Sequence, residues 1–126
     1  MSTTSSAFDF RKSVAYDEAR KLQFHRIARR QLALLAKALN LPSGSYDLRS
    51  NKAGIAVSGE VTLHGEHIYV QASQPFGGFH TGVLIRTCKG RKDYTGGPNN
   101  FASLDLLHDP GKLARIVQTV IHGEHS

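Results

Sequence analysis

One cysteine, Cys88, stands alone among 126 residues. That excludes an intramolecular disulfide framework and fits a reducing compartment. Long apolar runs are missing too: no window approaches the roughly 18 residues that a transmembrane helix needs. The opening stretch MSTTSSAFDF lacks the charged lead and apolar segment of a secretory signal. A cytoplasmic protein with no membrane partner is the expectation. Motifs of common chemistries are equally scarce. There is no Gly-x-Ser-x-Gly, no phosphate loop of the Gly-x-x-x-x-Gly-Lys-Ser/Thr type, no dinucleotide fingerprint and no helical His-x-x-x-His with a glutamate. No catalytic residue and no cofactor is assigned on these grounds, and the reading leans away from an enzyme.

Acidic side chains are the other shortage, and it is local. Net charge is +6 with pI near 9.8. Residues 1–44 hold eight Lys/Arg against three Asp/Glu, residues 45–90 four against three, and residues 91–126 four against four. From Arg20 to Lys37 there are six basic residues and no acidic one. A solvated helix face ordinarily mixes signs, because opposite charges at four-residue spacing help and like charges hurt. A one-sign face costs a little stability, and that points to a use: an anionic partner such as nucleic acid.

What the chain does contain is clear periodicity. With 40% hydrophobic residues it has the material for one folded domain, set at residues 9–123 between a disordered tail at 1–8 and a short tail at 124–126. The strongest element is Gly54–Ser73, which reads as a β-hairpin. Ile55, Val57, Val61 and Leu63 alternate, then Ile68, Val70 and Ala72. A type II′ turn with Gly65-Glu66 as its loop places Leu63 opposite Ile68 and Val61 opposite Val70. His64 and His67 then become a cross-strand pair.

Around this hairpin the order is legible. A long helix is expected from Ser13, as N-cap, to Asn40, stopped by Leu41-Pro42. Phe24, Ile27, Ala28, Leu35, Ala38 and Leu39 form its apolar stripe, with Arg26, Arg29, Arg30 and Lys37 opposite. Tyr46–Ser50 and Val83–Cys88 read as strands. A Gly-rich loop at 75–82 and a second at 89–100 separate them from the end, with a helical turn at Ser103–Leu107. The last helix has Asp109 as N-cap, Pro110 at its first position and Gly123 as its stop. The fold class is therefore α+β: a two-layer sandwich in α-β-β-β-β-α order. Its four-stranded antiparallel sheet has one face under both helices and the other open. The α-β-β-β-α core order resembles that of the double-stranded RNA-binding domain, with Lys112 and Arg115 opening the second helix. The fourth strand and the absence of a lysine cluster at that helix start depart from it.

Three constellations bear on function. The first is the basic helix face together with the loop, where Arg86, Lys89, Arg91 and Lys92 lead into Tyr94, Asn99 and Asn100. Cations contact phosphates, an exposed aromatic stacks on a base, and amides donate and accept. The second is His64 with His67, the residues best placed for a metal through their imidazoles, completed by Glu66 or a tail histidine. The third is the open sheet face, with Asp47, Arg49, Glu60, Thr62, Tyr69, Gln71 and Arg86. Cys88, between Arg86 and Lys89, would have its pKa lowered by those cations. The leading expectation is a non-enzymatic binder of nucleic acid or another phosphate-rich ligand. Its rivals are a protein–protein module, homodimeric through the sheet, and a small histidine-dependent metalloenzyme.

Overall fold

The structure, a computed structural model, describes residues 8–74, 79–93 and 97–123. Helix α1 runs Glu18–Ala38, followed by strands β1 (Asp47–Asn51), β2 (Glu60–His64), β3 (Ile68–Ser73), β4 (Val83–Thr87) and β5 (Asn100–Ala102), then helix α2 (Pro110–Gly123). Every neighbouring pair of strands is antiparallel and the spatial order is β1-β2-β3-β4-β5, a meander. The α+β class holds, but the sheet has five strands rather than four. The fifth lies in the stretch expected to be loop: Val83 pairs with Ala102, Leu84 with Phe101 and Ile85 with Asn100. At three residues it is too short for alternation to reveal it.

Both helices cover one face of the sheet. Phe24, Leu32 and Leu35 of α1 and Leu113 and Val117 of α2 share a core with Val61, Leu63, Val70, Val83 and Ile85. Leu32 and Ala36 belong to the α1 stripe, whereas Ala38 is exposed. The aromatic corner of this core is Phe8, Phe10 and Phe24, with ring centroids 5.0–6.3 Å apart. The core thus begins at Phe8, a residue the sequence reading placed in the tail; residues 1–7 and 124–126 lie outside the described residues.

α1 starts later than expected, at an Asp17 cap whose carboxylate accepts from Arg20 N, 3.1 Å. Before it, the chain is pulled towards the sheet. The Gln74 side chain accepts from Val14 N and donates to the carbonyls of Phe10 and Lys12, while Tyr16 turns with φ 60°. The far end is a Schellman cap. Asn40 takes φ 60° in the left-handed region, Asn40 N donates to Lys37 O, and Leu41 N donates to Ala36 O. α2 is capped as the sequence reading expected, with Asp109 accepting from Lys112 N.

The central hairpin differs in two respects. Ile55 and Val57 are not in a strand, and Ile55 is 60% exposed. The carbonyls that a longer strand would have laddered are taken by helix side chains: Lys21 Nζ donates to Gly54 O and His25 Nε2 to Ser58 O. The turn also sits one residue further on. Gly65 N donates to Ile68 O, so Glu66-His67 is the loop, and Leu63 pairs with Val70 and Val61 with Ala72. Partners shift by two residues, so each side chain keeps its face.

Candidate functional site

The register change dissolves the histidine pair. His64 lies opposite Tyr69 and is wholly buried, while His67 is exposed in the turn. His64 has two partners that define its tautomer. Arg49 Nη2 can only donate, so Nδ1 accepts at 2.9 Å; the Gly90 carbonyl can only accept, so Nε2 carries the proton, also at 2.9 Å. Burial, with Arg49 adding to it, lowers the pKa of this imidazole. A neutral histidine with both nitrogens engaged has no lone pair left for a metal. Among the described residues no group of three or more His, Cys, Asp or Glu is arranged to hold one.

The sheet face away from the helices is also less open than expected. Asp47, His64, Tyr69 and Arg86 form one row across β1–β4. The His64 and Tyr69 rings meet edge to face at 5.0 Å, and the Arg86 guanidinium lies 4.1 Å from the Tyr69 centroid. Gln71 donates to the Tyr69 hydroxyl. Tyr69, 8% exposed and already beneath Arg86, offers no ring to a base. The segment after β4 folds over this row. Arg91 donates to Gly44 O at 2.7 Å and approaches Asp47 and Glu66 at 4.0 and 3.8 Å.

The predicted cationic site therefore separates into two surfaces. Arg86, Lys89, Arg91, Lys92, Asn99 and Asn100 belong to the sheet side. Arg86 and Arg91 serve intramolecular contacts there, Asn100 donates to Pro98 O, and Lys89, Lys92 and Asn99 are exposed. Tyr94 lies outside the described residues. Cys88 is buried, its thiol directed at the carbonyls of Gly65 and Ile68, 3.3 and 3.4 Å. Burial raises its pKa, against the expected effect of its cationic neighbours.

Arg26, Arg29, Arg30 and Lys37 lie together on the outer surface of α1, all exposed. Among the described residues none of these four side chains has a hydrogen-bond or ion-pair partner. The fold adds two more cations to the same layer. Lys112 and Arg115 are exposed on α2, which packs beside α1. The two helices run in the same sense. Gln31 of α1 donates to Leu107 O just before α2 begins, and Leu39 shares a cavity with Gln118 and Ile121 near its end. After Glu18, no acidic residue occurs in either helix. The six exposed cations thus face solvent, and the carboxylates of this layer are confined to the helix starts, at Asp17, Glu18 and Asp109. Sequence reasoning had Lys112 and Arg115 in view but nothing to join them to the first helix; only the packing of the helices does.

No family model, curated protein or solved structure matches this chain. Function has to be read from the surfaces themselves. Of the two, the helical layer gathers six exposed cations, whereas on the sheet side Arg86 and Arg91 are engaged and Lys89 and Lys92 are the exposed cations.

Proposed function

We propose that the protein binds the phosphate backbone of double-stranded nucleic acid through the outer surface of its helical layer. The observation that carries this is the single sign of that layer: Arg26, Arg29, Arg30, Lys37, Lys112 and Arg115 are exposed, and neither helix supplies a carboxylate after Glu18. Eleven residues separate Arg26 from Lys37, a helical rise of about 16 Å at about 1.5 Å per residue. A row of that length lies across several phosphates of a duplex, which carries one charge about every 1.7 Å of its axis when both strands are counted. Neither helix carries an exposed Phe, Tyr or Trp, so the layer has cations for phosphates but no large aromatic ring for stacking on unpaired bases. Contacts confined to phosphate position a protein without reading sequence, and the binding is sequence-independent.

Fluorescence anisotropy of labelled duplex and single-stranded oligonucleotides tests this reading. Duplex affinity should fall steeply with salt. Combined reversal of Arg26, Arg29 and Arg30 to Glu should weaken it at least tenfold and reduce the log–log salt slope by about three. Reversal of Lys89 and Lys92 on the opposite side should change it little. Unchanged affinity in the triple variant, with its circular dichroism intact, would sink the proposal.

A further inference from the structure

A cavity of about 560 Å³ opens at one end of the sandwich. Leu39 and Leu41 from just past the end of α1, Ile68 from the start of β3 and Ile121 from the last turns of α2 make its walls apolar. Its size lies within the range of small-molecule sites, which run from about 300 to 1,000 Å³. The remaining lining comes from His67, Thr87, Cys88 and Gln118. Asp, Glu, Lys and Arg are absent from the lining, so an ionised ligand would lose its hydration without gaining a counter-charge.

Three of those polar side chains are uncommitted. His67, Thr87 and Gln118 make no side-chain hydrogen bond within the described residues. The Cys88 thiol, by contrast, is directed at two backbone carbonyls and is unavailable. An apolar chamber with a hydroxyl, an amide and an imidazole unengaged in its lining suits a molecule that is greasy along most of its length and polar at one point.

We infer that this cavity binds an uncharged, mainly apolar small molecule bearing one hydrogen-bonding group, such as a medium-chain alkyl alcohol. The site is distinct from the cationic surface: it uses none of the six exposed Lys/Arg residues, and its ligand is of the opposite chemical character.

Titration of the ¹⁵N-labelled full chain with octan-1-ol, followed by amide chemical shifts, tests it. Saturable shifts should concentrate at Leu39, Leu41, Ile68, Cys88 and Ile121. Octanoate, the same chain ending in a carboxylate, should bind at least tenfold more weakly. Ile121→Trp fills the cavity and should weaken octanol binding at least tenfold with the thermal midpoint retained; should that variant not fold, Leu39→Phe serves instead. Octanoate binding as tight as octanol would overturn the uncharged class. Absent or non-saturating shifts, or unaltered affinity in the filled variant, would overturn the site. So would a doubled mass by light scattering with octanol failing to displace the second copy.

Discussion

Two imidazoles, His25 and His64, are kept neutral by the fold, and this gives the protein an acid sensitivity that its composition does not reveal. His25 Nε2 donates to Ser58 O at 2.7 Å, and its other ring nitrogen is buried without a partner. Burial is the main cause of the lowered pKa in both. The unfolded chain binds these protons near the ordinary value of 6.5, and the native chain only at lower pH. Below about pH 6.5 the unfolded state therefore holds more protons, and stability falls with pH until the native values are reached. Urea unfolding at pH 7.5 and 5.5 should show a drop in midpoint. Replacing both residues by Gln should reduce the size of that drop, at the cost of lower stability at pH 7.5. Equal acid sensitivity in the variant would assign the drop to other groups.

At the scale of elements, the turn before β2 shows how much a short segment depends on a single residue type. Gly59 has φ 71°, and a Cβ built there would lie 2.1 Å from Asn51 O and 2.8 Å from the Lys52 backbone. Backbone cannot withdraw as a flexible side chain can. Gly59→Ala should therefore destabilise by on the order of 3 kcal/mol, combining left-handed strain with the clash. Denaturant unfolding checks this, and a loss below about 1 kcal/mol would mean the loop simply re-routes. The same segment shows why the first arm of the hairpin is shorter than its alternation predicts. Alternation through Ile55 and Val57 is a valid strand signal, but Lys21, 3% exposed, and His25 reach up from α1 and capture the carbonyls. A helix 33 residues away in sequence ends the strand. By the same logic α1 starts later than its spacing predicts, because the Gln74 side chain holds residues 10–14 in a non-helical path. The caps at Asp109 and the stop near Asn40 needed only neighbouring residues, and both were legible.

For the whole molecule, the main electrostatic fact is a helical layer with six exposed cations lying on a sheet whose far side pairs Arg49 and Arg91 with Asp47 and Glu66. Like charges on that layer repel, each neighbouring pair costing a few tenths of a kcal/mol. Screening relieves such repulsion, since the Debye length shortens from about 30 Å at 0.01 M salt to about 8 Å at 0.15 M. The urea midpoint should accordingly rise as NaCl is added over this range, and rise less in the Arg26/Arg29/Arg30 reversal variant. A midpoint that falls with salt would show that favourable ion pairs dominate instead. No helix among the described residues is long and apolar enough to cross a membrane.

Local spacing by itself determined the elements whose stabilising partners are close in sequence. These are the stripe of α2 and most of that of α1, the four longer strands, the facing of side chains on β2 and β3, and the one-sign run from Arg20 to Lys37. Period and charge are properties of neighbouring residues, and no fold is needed to read them. Only the tertiary structure decided the rest. It paired a three-residue β5 with β4, ended the hairpin arm at Gly59 and buried His64 between Arg49 and Gly90. It also brought Lys112 and Arg115 into one layer with Arg26, Arg29, Arg30 and Lys37, and separated all six from the cations of the 86–92 segment. Each of those outcomes depends on groups far apart along the chain competing for the same hydrogen bond or the same surface, and packing settles such competition.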